Sequence, residues 1–227
     1  MWRKVVFLTL AALFFAVAVA GCGKPETAQP PEKAGPPAAA KSEKQPPAGE
    51  LAGKKVLLVI APRDFRDEEF FTPRRIFEEK GAQVTVASST KETATGMLGG
   101  AVKPNAVFSE VDAADYDAVV IAGGAGSKEY LWDDRDLRGI VRDVYDRGKV
   151  VAAICLSPVV LARAGCLEGK EATVFPDSEA VRELKSAGVR YVDEGVVVSG
   201  SVVTARDPQS AEVFAQAVAE LLKGRYR

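Results

Sequence analysis

The length, composition and charge of the chain limit the classes of protein to which it can belong. Its 227 residues, of which 47% are hydrophobic and 27% charged, are enough to bury one sizeable core, so one folded domain is the simplest expectation. Thirty basic residues against thirty-one acidic ones give a formal net charge of -1, which disfavours nucleic acids and anionic surfaces as partners.

The first 22 residues differ from the rest of the chain and predict an export signal. Arg3 and Lys4 precede an uncharged apolar run, residues 5–20, as in a secretory signal peptide. A retained membrane anchor is the alternative, but a spanning helix needs about 20 apolar residues and this run is shorter. The run ends in Gly21-Cys22 and resembles the lipobox of bacterial lipoproteins. This resemblance implies that Cys22 is acylated and holds an exported protein on the lipid bilayer, facing the periplasm or the cell exterior.

A segment rich in proline, alanine and lysine separates this signal from the predicted domain. Residues 23–52 contain no aromatic side chain, so they cannot form a core and are predicted to be a disordered linker. An extended proline-rich chain of this kind would hold a domain away from the membrane. Residues 53–227 are then the folded domain.

Within the domain, apolar runs of β-forming residues alternate with amphipathic runs. The predicted strands are 56–60, 83–87, 117–122, 149–154 and 172–175, followed by a hairpin of 196–198 and 202–204. The predicted helices are 70–79, 137–145, 157–164, 178–186 and 207–222, the last with Val213, Phe214, Ala217, Val218 and Leu221 facing the sheet. This order predicts an α/β fold, a doubly wound three-layer α/β/α sandwich with a mostly parallel central sheet. A site is expected beyond the carboxyl ends of the central strands.

The passage from strand to helix around Cys155 is the main chemical signal of the chain. An apolar strand runs directly into Cys155, and Pro158 opens a helix, which is the layout of a nucleophile elbow. At a helix N-terminus, partial positive charge and free N–H groups favour the thiolate, so we expect the pKa of this thiol to be lowered. A buried structural cysteine is the alternative that this pattern alone leaves open.

Other kinds of site find little support in the sequence. The chain has no histidine and no C-x-x-C pair, so no metal site is expected. Phosphate-loop and dinucleotide fingerprints are also missing, so no cofactor is expected. Cys166 lies too far along the predicted elbow helix from Cys155 to form a disulfide, and we expect both thiols to be unpaired.

The segment around the elbow, residues 151–165 (VAAICLSPVVLARAG), resembles the cysteine segment of the ThiJ/PfpI family. Four further stretches agree with this family: 64–87 with its Glu69 and Pro73, 116–124, 149–151 and 202–222. The family includes PfpI-type intracellular proteases, the parkinsonism-associated deglycase, glyoxalase III-type enzymes and chaperone-like members. The resemblance covers nearly the whole domain and implies a flavodoxin-like, class I glutamine amidotransferase-like fold.

The resemblance also implies roles for individual residues. Cys155 matches the family's nucleophile, and Glu69 matches the acid whose carboxyl group hydrogen-bonds the sulfur. Since a carboxylate would repel a thiolate, we expect Glu69 to be protonated. Its alternative role is that of a first-turn acid that stabilises the helix dipole. Gly124 matches the glycine beside the nucleophile, so its N–H and that of Leu156 would form an oxyanion hole, with a tight turn as the alternative.

Three positions depart from the family pattern. The protease-like members carry histidine directly after the nucleophile, where this chain has Leu156, and the deglycase branch carries histidine at the position of Phe175. The glycine that is usual two residues after the cysteine is Ser157 here, which would narrow the elbow. Because the whole chain contains no histidine, neither this chain nor an identical subunit can supply an imidazole base.

These departures decide between the activities that the family offers. A peptidase needs a proton donor for a poor amine leaving group, so a PfpI-type cysteine peptidase or amidase is the least favoured. The leading interpretation is an enzyme acting on small carbonyl compounds or their adducts, such as modified proteins, with Cys155 as nucleophile and Glu69 as acid and base. A thiol redox sensor without catalysis, or a chaperone-like or binding domain, is the alternative. The resemblance further implies a homodimer or a higher homo-oligomer.

Overall fold

A computed structural model of the chain describes residues 49–224. The predicted signal peptide, the predicted lipidation site Cys22 and most of the predicted linker lie outside the described residues. Between residues 49 and 224, no helix is both long and apolar enough to cross a bilayer.

Strands and helices alternate along the domain. The strands are β1 (Lys55–Val59), β2 (Arg63–Phe65), β3 (Gln83–Ser88), β4 (Ala94–Gly96), β5 (Ala101–Val102), β6 (Ala106–Val107), β7 (Ala118–Ile121), β8 (Val150–Ile154), β9 (Glu171–Ala172), β10 (Arg190–Tyr191), β11 (Val196–Ser199) and β12 (Val202–Ala205). The helices are α1 (Asp67–Glu79), α2 (Arg135–Asp146), α3 (Pro158–Arg163), α4 (Ser178–Ser186) and α5 (Ala211–Leu222). A π-helical turn (Ser127–Leu131) lies between β7 and α2.

Seven of the strands form the central sheet, in the order β11-β12-β8-β7-β1-β3-β6. All neighbouring strands in it run parallel except the β11–β12 hairpin, which is antiparallel. Without the two edge strands, the five remaining strands follow the flavodoxin-like order, in which the second strand along the chain lies outside the first. The predicted fold class is therefore confirmed.

Two layers of helices cover the faces of the sheet. Alternate side chains of a strand point to opposite faces of the sheet. In β1, Val56 packs in the layer of α1 and α5, whereas Leu57 packs in the layer of α2, α3 and α4. In the first layer the sheet packs on Phe70 and Phe214, and in the second on Leu137. Because both faces are covered, the central strands are apolar without interruption, as the sequence indicates.

Helix α1 begins three residues earlier than predicted. Its first turn consists of the acidic residues Asp67, Glu68 and Glu69, which are favourable beside the positive end of the helix dipole but carry no apolar periodicity. The hydrophobic pattern, which starts at Phe70, therefore hides this turn. The earlier start places Glu69 on the helix itself.

The predicted strand over residues 172–175 is mostly wrong. Strand β9 ends at Ala172 and pairs with β10 in a small separate sheet. The N–H of Thr173 donates to Oγ1 of Thr204 (3.0 Å), and the N–H of Phe175 donates to the carbonyl oxygen of Cys155 (2.9 Å). These two donors therefore pair with the ends of the central strands instead of forming a ladder of their own.

Helix α5 is buried through most of the face that the sequence predicts. Phe214 and Val218 are fully buried, and Ala217 and Leu221 are partly buried against the core. Val213, which is also expected to face the sheet, is 61% exposed, so this part of the prediction is wrong. Ala215 and Leu222 are buried in addition.

Residues 49–52, which the predicted linker includes, pack on the domain. Leu51 is fully buried, and its N–H donates to the carbonyl oxygen of Lys80 (2.8 Å). Glu50 forms ion pairs with Lys80 (3.1 Å) and Lys223 (2.8 Å). Packed structure therefore begins earlier than the predicted boundary, since composition does not reveal a single anchoring leucine.

Candidate active site

The site lies where the order of the parallel strands reverses, between β1 and β7. In a doubly wound sheet, the loops that leave two such strands diverge and open a crevice. Gly124 follows β7, Cys155 follows the neighbouring β8, and Glu69 lies on the helix that follows β1 and β2. The residues singled out by the sequence therefore meet at one edge of the sheet.

Cys155 occupies a strained turn between β8 and α3. Its φ angle is 64°, in the left-handed region that a residue with a side chain rarely adopts. Two backbone hydrogen bonds hold the residue there: its N–H donates to the carbonyl oxygen of Ala205 (2.9 Å), and its own carbonyl oxygen accepts from Phe175 (2.9 Å). The residue is 7% exposed, so it is almost closed to solvent.

Glu69 is fully buried beside this turn. Its Oε2 atom accepts a hydrogen bond from the N–H of Gly123 (2.9 Å), while Oε1 bonds to no nitrogen or oxygen in the described part of the chain. A Cβ atom placed on Gly123 would lie 2.6 Å from both Oε2 of Glu69 and Cβ of Cys155. The absent side chain of Gly123 is thus what lets the carboxyl group and the cysteine approach one another.

Burial dominates the ionisation of both groups. It raises the pKa of Glu69 from its usual 4.5 to about 8, because a carboxylate loses its hydration there. Burial, and then the negative charge of Glu69, raise the pKa of Cys155 to about 12. The N–H groups of Gly124 and Leu156 favour the thiolate, as expected, but they are outweighed. The predicted lowering of the thiol pKa is therefore wrong.

Glu69 and Cys155 titrate as a pair. Since the two ionised forms repel each other, the pair carries at most one negative charge near neutral pH. The upward shift of the pKa of Glu69 favours the protonated carboxyl group that the sequence predicts, but its cause is burial and not repulsion by a thiolate, since the hydrogen bond with Cys155 lowers this pKa. Because Oε2 already faces the N–H of Gly123, the proton of the neutral carboxyl group belongs on Oε1.

Gly124 packs directly against the backbone of the loop that leads into α1. Its φ angle is +104°, and a Cβ atom there would lie 2.3 Å from the carbonyl oxygen of Asp64 and 2.5 Å from the nitrogen of Arg66. Glycine is therefore required at this position for steric reasons. The tight turn and the N–H directed at the sulfur, which the sequence offered as alternatives, occur together.

Apolar residues occupy both positions at which a histidine would have been expected from the family. Leu156 is half-buried, and its carbonyl oxygen accepts from Nε1 of Trp132 (2.8 Å). Phe175 is 40% exposed, although its backbone is bonded to Cys155. Neither side chain can take up or release a proton, so Glu69 is left as the titratable partner of the thiol.

Sequence reasoning missed Arg66, the residue immediately before α1. Its guanidinium group is paired with Glu68 through Nε (2.8 Å) and a second nitrogen (3.0 Å). Its positive charge also acts on Glu69, where it lowers the pKa in part, and on Cys155. No motif marks this arginine in the sequence, and only the packing of its backbone against Gly124 brings it to the site.

The second thiol lies apart from this chemistry. Cys166 is 1% exposed, and burial raises its pKa to about 11. Both cysteines within the described range are free. The same residues contain no cluster of three or more side chains that could hold a metal ion.

The fold and the site together define a class: flavodoxin-like domains with a cysteine at a strained turn between strand and helix, beside a buried carboxyl group. The profile of the DJ-1/PfpI family matches residues 54–221. The chain belongs to this family, and the resemblance seen in the sequence is confirmed.

Individual relatives support this assignment over most of the domain. An uncharacterized protein of Methanocaldococcus jannaschii is 54% identical over 164 residues, which are 72% of this chain and 80% of that protein. A deglycase of Pyrococcus horikoshii is 34% identical over 169 residues, covering 74% of this chain and 99% of the deglycase. The crystal structure of a ThiJ/PfpI domain protein from Brachyspira murdochii superposes with a TM-score of 0.72 at 38% identity, covering 76% of this chain and 99% of that one.

Proposed function

We propose that the protein is an enzyme acting on small carbonyl compounds or on their adducts, with Cys155 as nucleophile and Glu69 as acid and base. One observation carries the proposal: a fully buried carboxyl group with a pKa of about 8 is within hydrogen-bonding reach of the thiol of Cys155. A group whose pKa lies near the working pH is suited both to give and to take a proton.

The proposed reaction on a 2-oxoaldehyde needs no reactant other than water. The thiol of Cys155 gives its proton to the carboxylate form of Glu69 as the sulfur adds to the aldehyde carbon, the carbonyl electron pair moves to oxygen, and Glu69 returns the proton to that oxygen to complete a hemithioacetal. The N–H groups of Gly124 and Leu156 would stabilise the developing oxyanion. Glu69 then moves a proton from this carbon to its neighbour, while the hydroxyl proton passes to the neighbouring carbonyl oxygen, which oxidises the first carbon, reduces the second and leaves a thioester. Water cleaves the thioester to a 2-hydroxy acid and the free thiol.

The absence of an imidazole base argues against a peptidase. Expulsion of an amine needs strong protonation of the leaving group, and both positions open to histidine hold apolar side chains, Leu156 and Phe175. Deglycases of Pyrococcus horikoshii and Pyrococcus furiosus are 34% and 32% identical to this chain. Carbonyl chemistry is therefore the better supported choice.

A redox sensor is less favoured. Such a sensor relies on an accessible thiol with a low pKa. Burial raises the pKa of Cys155 and leaves the side chain 7% exposed, so both properties point away from easy oxidation.

The proposal is tested by turnover of methylglyoxal and of glyoxal, with the 2-hydroxy acid measured as product. Cys155→Ala is expected to abolish turnover, while Cys166→Ala, which removes the other buried thiol, should retain it. Glu69→Gln should lower turnover by about 100-fold or more, because it removes the proton carrier. Turnover that persists in Cys155→Ala would refute the proposal.

We also propose that the domain is held on a membrane through acylated Cys22. The support is the sequence of residues 1–22, a charged start followed by an apolar run ending at a cysteine. Labelled palmitate should enter the protein in bacterial cells but not its Cys22→Ser variant. Equal labelling of the two would dismiss the anchor.

A further inference from the structure

Two buried serines form a hydrogen-bonded chain beside the elbow. Ser127 and Ser157 are both fully buried, and their Oγ atoms are 2.8 Å apart. Oγ of Ser157 also donates to the carbonyl oxygen of Ala122 (2.7 Å). Since a hydroxyl group has one hydrogen, Ser127 must be the donor between the two serines. The chain of donors therefore runs from Ser127 to Ser157 to Ala122.

This chain joins the two loops that make the site. Ser157 follows Cys155 and Leu156 and stands at the start of α3. Ala122 follows β7 and directly precedes Gly123 and Gly124, whose N–H groups bond to Glu69 and to the sulfur of Cys155. The serine hydroxyl thus fixes the glycine loop to the elbow on its N-terminal side.

The same loop is also held on its C-terminal side. The N–H of Ser127 donates to the carbonyl oxygen of Gly124 (3.1 Å), which closes a turn directly after the glycine pair. The side chain of Ser127 then returns to Ser157. The N–H of Gly124 therefore lies in a loop whose two ends are both tied, directly or through Ser127, to the hydroxyl group of Ser157.

We propose that Ser157 and Ser127 are positioning residues that hold the N–H of Gly124 against the sulfur and so set the ionisation of the Cys155–Glu69 pair. For its effect on turnover this inference rests on the proposed function, but its effect on the thiol does not. Glycine at position 157 would leave the carbonyl oxygen of Ala122 and the hydroxyl group of Ser127 without this partner. The serine therefore does more than narrow the elbow.

The test is the pH dependence of iodoacetamide alkylation at Cys155, followed by mass spectrometry with Cys166 as internal reference. Ser157→Ala should raise the apparent pKa by about one unit, so that alkylation near pH 8 slows about 10-fold. Ser127→Ala should shift the profile less and in the same direction. The double variant should behave like Ser157→Ala alone, because the side chain of Ser127 is linked to the glycine loop only through its hydrogen bond to Ser157.

Two further variants separate positioning from general stability. Ser157→Thr keeps the hydroxyl group and should retain a profile near that of the parent protein. Ser88→Ala removes another fully buried hydroxyl group, one with no hydrogen-bond partner in the described residues, and should leave the profile unchanged. If Ser157→Ala does not fold, the shift in Ser127→Ala and its absence in Ser88→Ala decide the question.

The outcomes distinguish this inference from the proposed function. Lower thermal stability of the serine variants with an unchanged alkylation profile would overturn the positioning role, as would additive shifts in the double variant. If the profile shifts while the parent protein converts no carbonyl compound, the proposed function fails and the positioning role stands. If turnover depends on Cys155 but the serine variants leave the alkylation profile unchanged, the proposed function stands and the positioning role fails.

Discussion

Glu69 binds its proton more tightly in the folded domain than in an unfolded chain. Burial raises its pKa from 4.5 to about 8, so between these values the folded state holds the extra proton. The free energy of unfolding that this group contributes is fully present below its unfolded pKa. It falls as the pH rises through that window, by about 1.4 kcal/mol per pH unit.

Replacement of Glu69 by glutamine should remove this pH dependence. The amide oxygen can still accept from the N–H of Gly123, but no buried charge forms as the pH rises. Relative to the parent protein, Glu69→Gln should therefore become steadily more stable from about pH 5 to about pH 8 in urea unfolding. Glu79→Gln, at the exposed end of the same helix, serves as the control. A stability difference for Glu69→Gln that does not vary with pH would contradict the raised pKa.

At the scale of residues, the sequence predicts the parts of the site that belong to a contiguous motif. Cys155 is marked by the strand before it and Pro158 after it, and Glu69 by its place in the family pattern. Neither Arg66 nor Ser127 is marked by a motif. Arg66 contacts a loop more than 50 residues away, and Ser127 acts through a single hydroxyl contact. The pKa of Cys155 was misjudged for a related reason: the degree of burial is a property of the packed site.

At the scale of elements, the loop after β7 depends on the lack of a side chain at Gly123. A Cβ atom there would meet Cys155 and Glu69 at 2.6 Å, and neither can retreat because both are buried. Gly123→Ala should therefore destabilise the protein by about 1–3 kcal/mol, as overpacking does, and should also slow alkylation of the thiol.

Gly139 offers the matched control for this prediction. It lies inside α2, and a Cβ atom there would meet nothing within 4 Å. Gly139→Ala should stabilise the protein by about 0.5–1 kcal/mol, since alanine favours the helix. Denaturant unfolding of both variants measures the contrast. Equal effects of the two substitutions would show that the close approach at Gly123 is not a constraint.

Elements with strong periodicity were predicted well, and those whose hydrogen bonds are not local were predicted poorly. Helix α4 spans the predicted residues, because its polar and apolar faces alternate cleanly and Asp177 caps its start. The strand predicted through Phe175 failed because its N–H groups bond to residues of β12 and to Cys155. Apolar composition alone cannot indicate which partner a backbone donor will find.

At the scale of the whole molecule, the N-terminal segment and the site lie at opposite edges of the sheet. Leu51 is bonded to Lys80, beside the amino ends of β1 and β3, whereas Cys155 follows the carboxyl end of β8. The five residues of β1 alone separate the two edges by roughly 17 Å. A change at the amino edge should therefore alter the stability of the domain without altering the reactivity of Cys155.

Leu51→Ala in the full chain tests this separation. The side chain is fully buried among apolar residues, so its truncation should lower the free energy of unfolding by about 2–5 kcal/mol. In native buffer the alkylation profile of Cys155 should stay the same, because no contact of the site is altered. Ala52→Ser, at the exposed neighbouring position, should change neither quantity. A stability loss below about 1 kcal/mol would place Leu51 outside the core, and a shifted alkylation profile would mean that the amino edge is coupled to the site.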